Sequence, residues 1–128
     1  MKSIKLKIGD KEFEAHFGFG FFEKAMENEN LPDNNILSLP VNKQIYYSIS
    51  YGLERNGLEP ISRYDFHDLL DDMEVDEFKE ITEKFSYYLL RSMEKKMKLS
   101  PTERKEYEKQ MQPLAKKFEP TKKVTAAK

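Results

Sequence analysis

The chain has 128 residues, 38% hydrophobic and 35% charged, with a formal net charge of −1 at pH 7 and no cysteine. That length supports one domain with a modest core, and the missing cysteines exclude disulfides, thiolate zinc sites and cysteine nucleophiles. The near-neutral charge hides a split. Residues 1–94 hold 11 Lys+Arg against 19 Asp+Glu, net −8, and residues 95–128 hold 11 against 4, net +7. An acidic body with a basic end is a layout often found in interaction segments. No apolar run nears the ~20 residues needed to cross a bilayer. Lys2, Lys5 and Lys7 interrupt the early apolar residues, so no signal peptide is predicted and a cytoplasmic location is expected.

Ile4, Leu6 and Ile8 alternate with Lys5 and Lys7, the period-2 pattern of a half-buried strand. Gly9-Asp10 supplies a tight turn. Phe13, Ala15 and Phe17 then alternate with Glu12, Glu14 and His16, which puts His16 on the polar face. The two runs predict a hairpin, and a lone hairpin is marginal in water, so its apolar face must lie on helices.

Phe17-Gly18-Phe19-Gly20 breaks the strand, and a helix is expected to start near Gly20 with Phe21, Phe22, Ala25 and Met26 inward. The paired glycines do not make a phosphate cradle. A P-loop ends in Gly-Lys-Ser/Thr, and a dinucleotide fingerprint needs a third glycine where this chain has Glu23. The hairpin Ile-x-Leu-x-Ile-Gly-Asp-Lys-x-Phe running into Phe-Gly-Phe and a short helix resembles the opening of phage tail assembly chaperones. The match covers residues 4–26; beyond them it continues only as architecture. The resemblance implies a non-enzymatic protein that holds the tape measure protein soluble and helps recruit tail tube subunits. It also implies a longer frameshifted product, for which Lys116-Lys117 or Lys122-Lys123 could be encoded by a slippery run.

Residues 27–35 read as a polar loop with Pro32 and Asn34-Asn35, followed by a short turn at Ile36, Leu37 and Leu39. A helix is predicted over 41–55, with Val41, Ile45, Ile49 and Leu53 at steps of four, widened by Tyr46, Tyr47 and Tyr51, and stopped by Asn56-Gly57. Ser62 with Asp65 marks the start of a helix over 63–72 that buries Ile61, Tyr64, Phe66, Leu69 and Leu70. Asp71-Asp72 closes it. The longest element is predicted over 74–98, where Val75, Phe78, Ile81, Phe85, Leu89, Met93 and Met97 form one apolar stripe. At about 1.5 Å per residue it would be roughly 36 Å long. Ser100-Pro101-Thr102-Glu103 opens a last helix with a capping box and proline at its first position. Its few apolar residues, Tyr107 and Met111, predict an exposed or frayed extension ended by Pro113.

The expected fold is α+β and mostly α: an N-terminal β-hairpin packed on four to five helices. The expected division is a globular domain over 1–99, a short exposed helix over 100–112 and a basic disordered tail over 113–128. No catalytic group, cofactor or metal is predicted. His16 and His67 lie far apart in sequence, and His67 with Asp68 fails as a pair because adjacent helical residues do not face each other. No serine has a nucleophile-elbow setting. The acidic run from Asp71 to Glu77 lacks the glycine and alternation of a calcium loop. An acidic body also argues against nucleic acid. The partner-binding surface is expected among Tyr46, Tyr47, Tyr51, Tyr87, Tyr88 and the rim Asp71, Asp72, Glu74. Rings that bury their bodies and leave hydroxyls at the rim are the structural alternative for the tyrosines. Two further readings stay open: a small interaction adaptor or homo-oligomer formed through the long helix, and a nucleic-acid regulator acting through its basic tail.

Overall fold

A computed structural model describes residues 2–31 and 35–119. Pro32 and Asn34 of the polar loop and residues 120–128 of the predicted tail lie outside the described residues. Strands β1 (Ser3–Ile8) and β2 (Lys11–His16) form an antiparallel pair in which Ile4 faces Ala15 and Leu6 faces Phe13. Gly9 takes φ 62° in the turn, the left-handed conformation that a side chain disfavours. The alternation holds: Ile4, Leu6, Ile8, Phe13 and Ala15 are buried, while Lys5, Lys7 and Glu12 face solvent.

Five helices cover this hairpin: α1 (Phe19–Asn28), α2 (Val41–Arg55), α3 (Arg63–Asp71), α4 (Val75–Met93) and α5 (Pro101–Phe118). Short 3-10 turns occupy Ile36–Ser38 and Glu94–Lys96. The architecture is therefore the mostly helical α+β fold expected. Ile45 and Ile49 of α2 and Phe85 and Leu89 of α4 enter one core with the hairpin, Phe17, Phe21 and Ala25. Helix α2 lies against β2 so closely that a Cβ on Gly52 would sit 2.0 Å from the Glu14 carbonyl oxygen. On the other strand, Lys84 Nζ of α4 donates to the Lys5 carbonyl at 3.1 Å.

Local punctuation follows the sequence. The Ser62 hydroxyl accepts from the Asp65 N–H at 3.0 Å. Ser100 and Glu103 form the full capping box, each side chain taking the other's backbone N–H.

Six expectations are corrected. Helix α4 ends at Met93 rather than continuing to Lys98; the chain tightens into the 3-10 turn and is extended again at Met97, which lets α5 fold back. Val75 is 83% exposed, so the inward stripe begins with the half-buried Phe78. Met26 is exposed; Phe21 and Ala25 of α1 are buried and Phe22 packs half-buried against the core, so the inward side of α1 stops short of Met26. Tyr64 is 81% exposed, since α3 turns only the side carrying Phe66, Leu69 and Leu70 to the core. His16 is buried rather than solvated, beneath the Tyr51 ring of α2. Finally, α5 runs through Pro113 to Phe118 and packs antiparallel on α4, so 113–118 is helical rather than tail; 101–110 is the exposed helix expected, apart from the half-buried Tyr107. Pro113 forfeits one backbone bond, and docking on α4 outweighs the loss.

The close approach of Gly52 yields a test. Gly52→Ala must push α2 off β2, with an expected loss of about 1–3 kcal/mol or more. Gly57→Ala, at φ 66° with nothing within 4 Å of the added methyl, is expected to lose only about 1 kcal/mol from backbone strain. Urea midpoints of the two variants check the order; equal losses would mean that the helix–strand contact is not tight.

Candidate functional site

The residues expected to bind a partner fall into three places. Tyr46, Tyr47 and Tyr51 rise from α2, Tyr87 and Tyr88 from α4, and Asp71, Asp72 and Glu74 from the α3–α4 corner.

Most of the tyrosine hydroxyls have intramolecular partners. Tyr46 donates to the Ile61 carbonyl at 3.0 Å, and its ring packs on Phe66 with centroids 5.3 Å apart. Tyr47 is buried and donates to Glu29 Oε2 at 2.7 Å. The same carboxylate takes Lys43 Nζ at 2.9 Å and lies 3.8 Å from the Arg63 guanidinium. One side chain thus ties the C-terminal end of α1 to α2 and to the first turn of α3. The bonds from Tyr47 and Lys43 hold the Glu29 carboxyl below its usual range. Burial, and then the bond to Glu29, push the Tyr47 hydroxyl up to about 12.

Tyr51 meets His16 edge-on at 5.0 Å, and a Cβ on Gly20 would fall 2.2 Å from its ring. The glycines of the strand-to-helix corner therefore make room for an aromatic ring. His16 Nδ1 accepts from the Gly18 N–H at 3.0 Å. Burial, followed by the nearby Arg55 cation, lowers its pKa, as suits an imidazole that accepts a hydrogen bond.

On α4, Tyr87 is fully buried and donates to the Glu119 carboxylate in a short hydrogen bond. The half-buried Tyr88 donates to the Phe118 carbonyl at 3.3 Å. Burial raises the pKa of both hydroxyls. Both rings pack on Phe118, with centroids 5.8 and 6.4 Å away. The α2 and α4 tyrosines do not form one surface, and most of their area serves internal packing.

Asp71, Asp72 and Glu74 are all exposed, as are Asp65, Asp68, Asp76 and Glu77 on the same two elements. Tyr64 shares a helical face with Asp68 and Asp71, at steps of four and three. Tyrosine is a residue favoured at protein interfaces, and here its ring stands open among carboxylates. Sequence reasoning placed Tyr64 in the core; its phase, in step with Asp68 and Asp71 rather than with Phe66 and Leu70, was the signal that it points outward.

Among the described residues, no group of three or more His, Asp or Glu side chains is placed to hold a metal ion, and no helix is long and apolar enough to cross a membrane. No family model matches the chain. No curated protein and no solved structure is significantly similar to it.

The Glu29 hub has a consequence for acid stability. A carboxyl whose folded pKa is depressed stabilises the fold above its unfolded value of 4.5, and that contribution fades as pH falls through the folded value. Glu29→Gln is expected to lose about 1–3 kcal/mol at neutral pH, with a flatter fall in urea midpoint below pH 4.5 than the parent shows. Parallel acid limbs would remove Glu29 from the list of pH-sensitive groups.

Proposed function

We propose that this protein is a non-enzymatic phage or prophage tail assembly chaperone, which binds the tape measure protein and helps recruit tail tube subunits in the host cytoplasm. The single observation that carries the reading is the opening segment 4–26, whose hairpin, Gly-Asp turn and Phe-Gly-Phe corner resemble the start of that family. A tape measure protein is a long, largely helical chain whose apolar stripe must be covered before assembly. The acidic face of α3, with Tyr64 exposed among Asp68, Asp71 and the nearby Asp72 and Glu74, suits a basic stretch of such a helix. Complementary charge there would speed encounter and fix register.

A second reading, a self-associating adaptor, draws on α1. Phe19 is 72% exposed and Met26 41%, seven residues apart on one side of the helix. On the long helix α4, Phe85 and Leu89 are buried within the chain and Val75 is exposed, so α1 presents the larger open apolar residues. The regulator reading rests on the basic tail, of which Lys117 is already paired with Glu80 and Glu83.

Co-expression with the products of neighbouring genes, followed by affinity purification and mass spectrometry, tests the proposal. Recovery of a very long helical chain or a tail tube subunit is expected. Reversing Asp71, Asp72 and Glu74 to Lys is expected to weaken capture about tenfold at low salt, with a smaller effect at high salt. A folded protein that emerges alone would overturn the chaperone reading, and unchanged affinity in the reversed variant would clear the acidic face of any role.

A further inference from the structure

The aromatic face of α4 is covered by a piece of the chain's own C-terminal region, and the way that cover is held differs from the rest of the core. Lys117 Nζ lies 2.8 Å from Glu80 Oε2 and 3.0 Å from Glu83 Oε2. Phe118 sits against Tyr87 and Tyr88, Tyr88 donates to its carbonyl, and Tyr87 donates to Glu119. Phe118 is the apolar contact on the two tyrosines and is only half-buried, as is Leu114 four residues before it. The Lys117 ion pairs lie close to solvent and exchange readily with water, whereas the Tyr87 hydroxyl that meets Glu119 is buried. Just before this segment stands Pro113, inside the helix and without an N–H to give to the carbonyl four residues earlier. The first part of α5 has separate anchors, the buried Met111 and the Tyr107 hydroxyl on Glu94 at 3.0 Å. The last turn can therefore leave without the rest.

Beside it lies an open cleft of about 400 Å³. Its floor is Leu6 of β1 with Ile81 and Tyr88 of α4, and Lys84 stands at its rim. One wall is Lys117 and Phe118 themselves. Removing that wall would join the cleft to the Tyr87–Tyr88 face as one apolar groove, edged by Glu80 and Glu83.

We propose that residues 114–119, hinged at Pro113, are an intramolecular stand-in for a partner helix, and that the groove of α4 and β1 beneath them is a second docking surface. This inference rests on the protein-binding reading above. The stand-in states the chemistry of its replacement: an amphipathic helix with apolar residues at i and i+4, the second aromatic, and a lysine at i+3 to meet Glu80 and Glu83. Helix-in-groove recognition uses such anchors. In the resting protein the cover keeps the groove from collecting unrelated apolar segments.

Hydrogen exchange on the full chain reads the hinge. Amides of 114–119 are expected to exchange at least about tenfold faster than those of 102–111 and of α4, as a local opening should. Protection of 114–119 equal to that of α4 would overturn the proposal. Docking is read with a labelled synthetic peptide carrying residues 101–119, added to full-length protein. Phe118→Ala is expected to bind the peptide about tenfold more tightly than the parent, since the competing cover is weakened. Glu80→Lys with Glu83→Lys should cancel the gain. Lys117→Ala, which leaves the aromatic plug intact, should show a smaller gain, and slow exchange of the β1 amides certifies the fold of each variant. Equal affinity in the parent and Phe118→Ala would overturn the proposal, as would a parent protein that trades α5 between copies as a dimer. Failure here leaves the chaperone reading standing if co-expression still recovers a partner; recovery of none, with a cover that does exchange, would sink that reading and spare the groove.

Discussion

The structure depends on one close approach, the backbone of Gly52 against the carbonyl of Glu14. A two-stranded sheet has no stability of its own in water and two open edges besides. Bringing a helix to backbone contact with β2 addresses both problems. Once α2 is seated there, its side chains set the positions of the neighbours. Tyr51 fills the corner made by Gly18 and Gly20 over His16, Tyr47 reaches the end of α1 through Glu29, and Tyr46 holds the segment leading into α3 through Ile61. On the far strand α4 answers with Phe85 and Leu89 in the core and with Lys84 on the Lys5 carbonyl. An alanine at position 52 would disturb all of these at once.

A 128-residue chain with so many aromatic hydroxyls has to give buried polar atoms partners, because an unpaired one costs about 1–3 kcal/mol. Among the described residues no buried side-chain polar atom lacks a hydrogen bond. Tyr47 on Glu29 and Tyr87 on Glu119 meet this need with carboxylates that lie at the edge of the core, not inside it. The hydroxyls of Tyr46, Tyr47, Tyr87 and Tyr88 are therefore held within the chain. A partner would have to replace those bonds before gaining any. The large apolar side chains free of such duties lie elsewhere and face solvent: Tyr64 on α3, and Phe19 and Met26 on α1.

Features governed by near neighbours along the chain are legible in the sequence. The hairpin register follows from alternation and a glycine turn. The Ser62 and Ser100 caps follow from spacing, and the α2 stripe of Ile45 and Ile49 from a period of four. Features decided by distant contacts are not legible in this way. Tyr64 and Phe66 are two residues apart and equally aromatic; the packing of α3 on the core separates the exposed ring from the buried one, and the phase of Tyr64 with Asp68 and Asp71 is its one trace in the sequence. Pro113 reads as a stop because proline removes a helical donor; the chain overrides it because Lys117 and Phe118 find partners on α4. Val75 belongs to an apolar stripe that extends one turn beyond anything it can touch. Of the candidate site, the acidic rim was readable from composition, whereas its aromatic member was assigned to the core.

The folding back of α5 also changes the meaning of the charge split. An acidic body and a basic tail drawn along the sequence suggest two independent parts. In three dimensions Lys117 reaches Glu80 and Glu83, so part of the basic end neutralises the acidic flank of α4. The acids of α3 and of the α3–α4 corner lie on other elements and face solvent. Lys117 thus offsets part of the acidic charge of α4, while the carboxylates of α3 stay open to solvent. On the chaperone reading proposed above, a basic stretch of a helix would meet the open α3 carboxylates before the covered face of α4. Only a segment able to compete with Lys117 and Phe118 could then settle on α4.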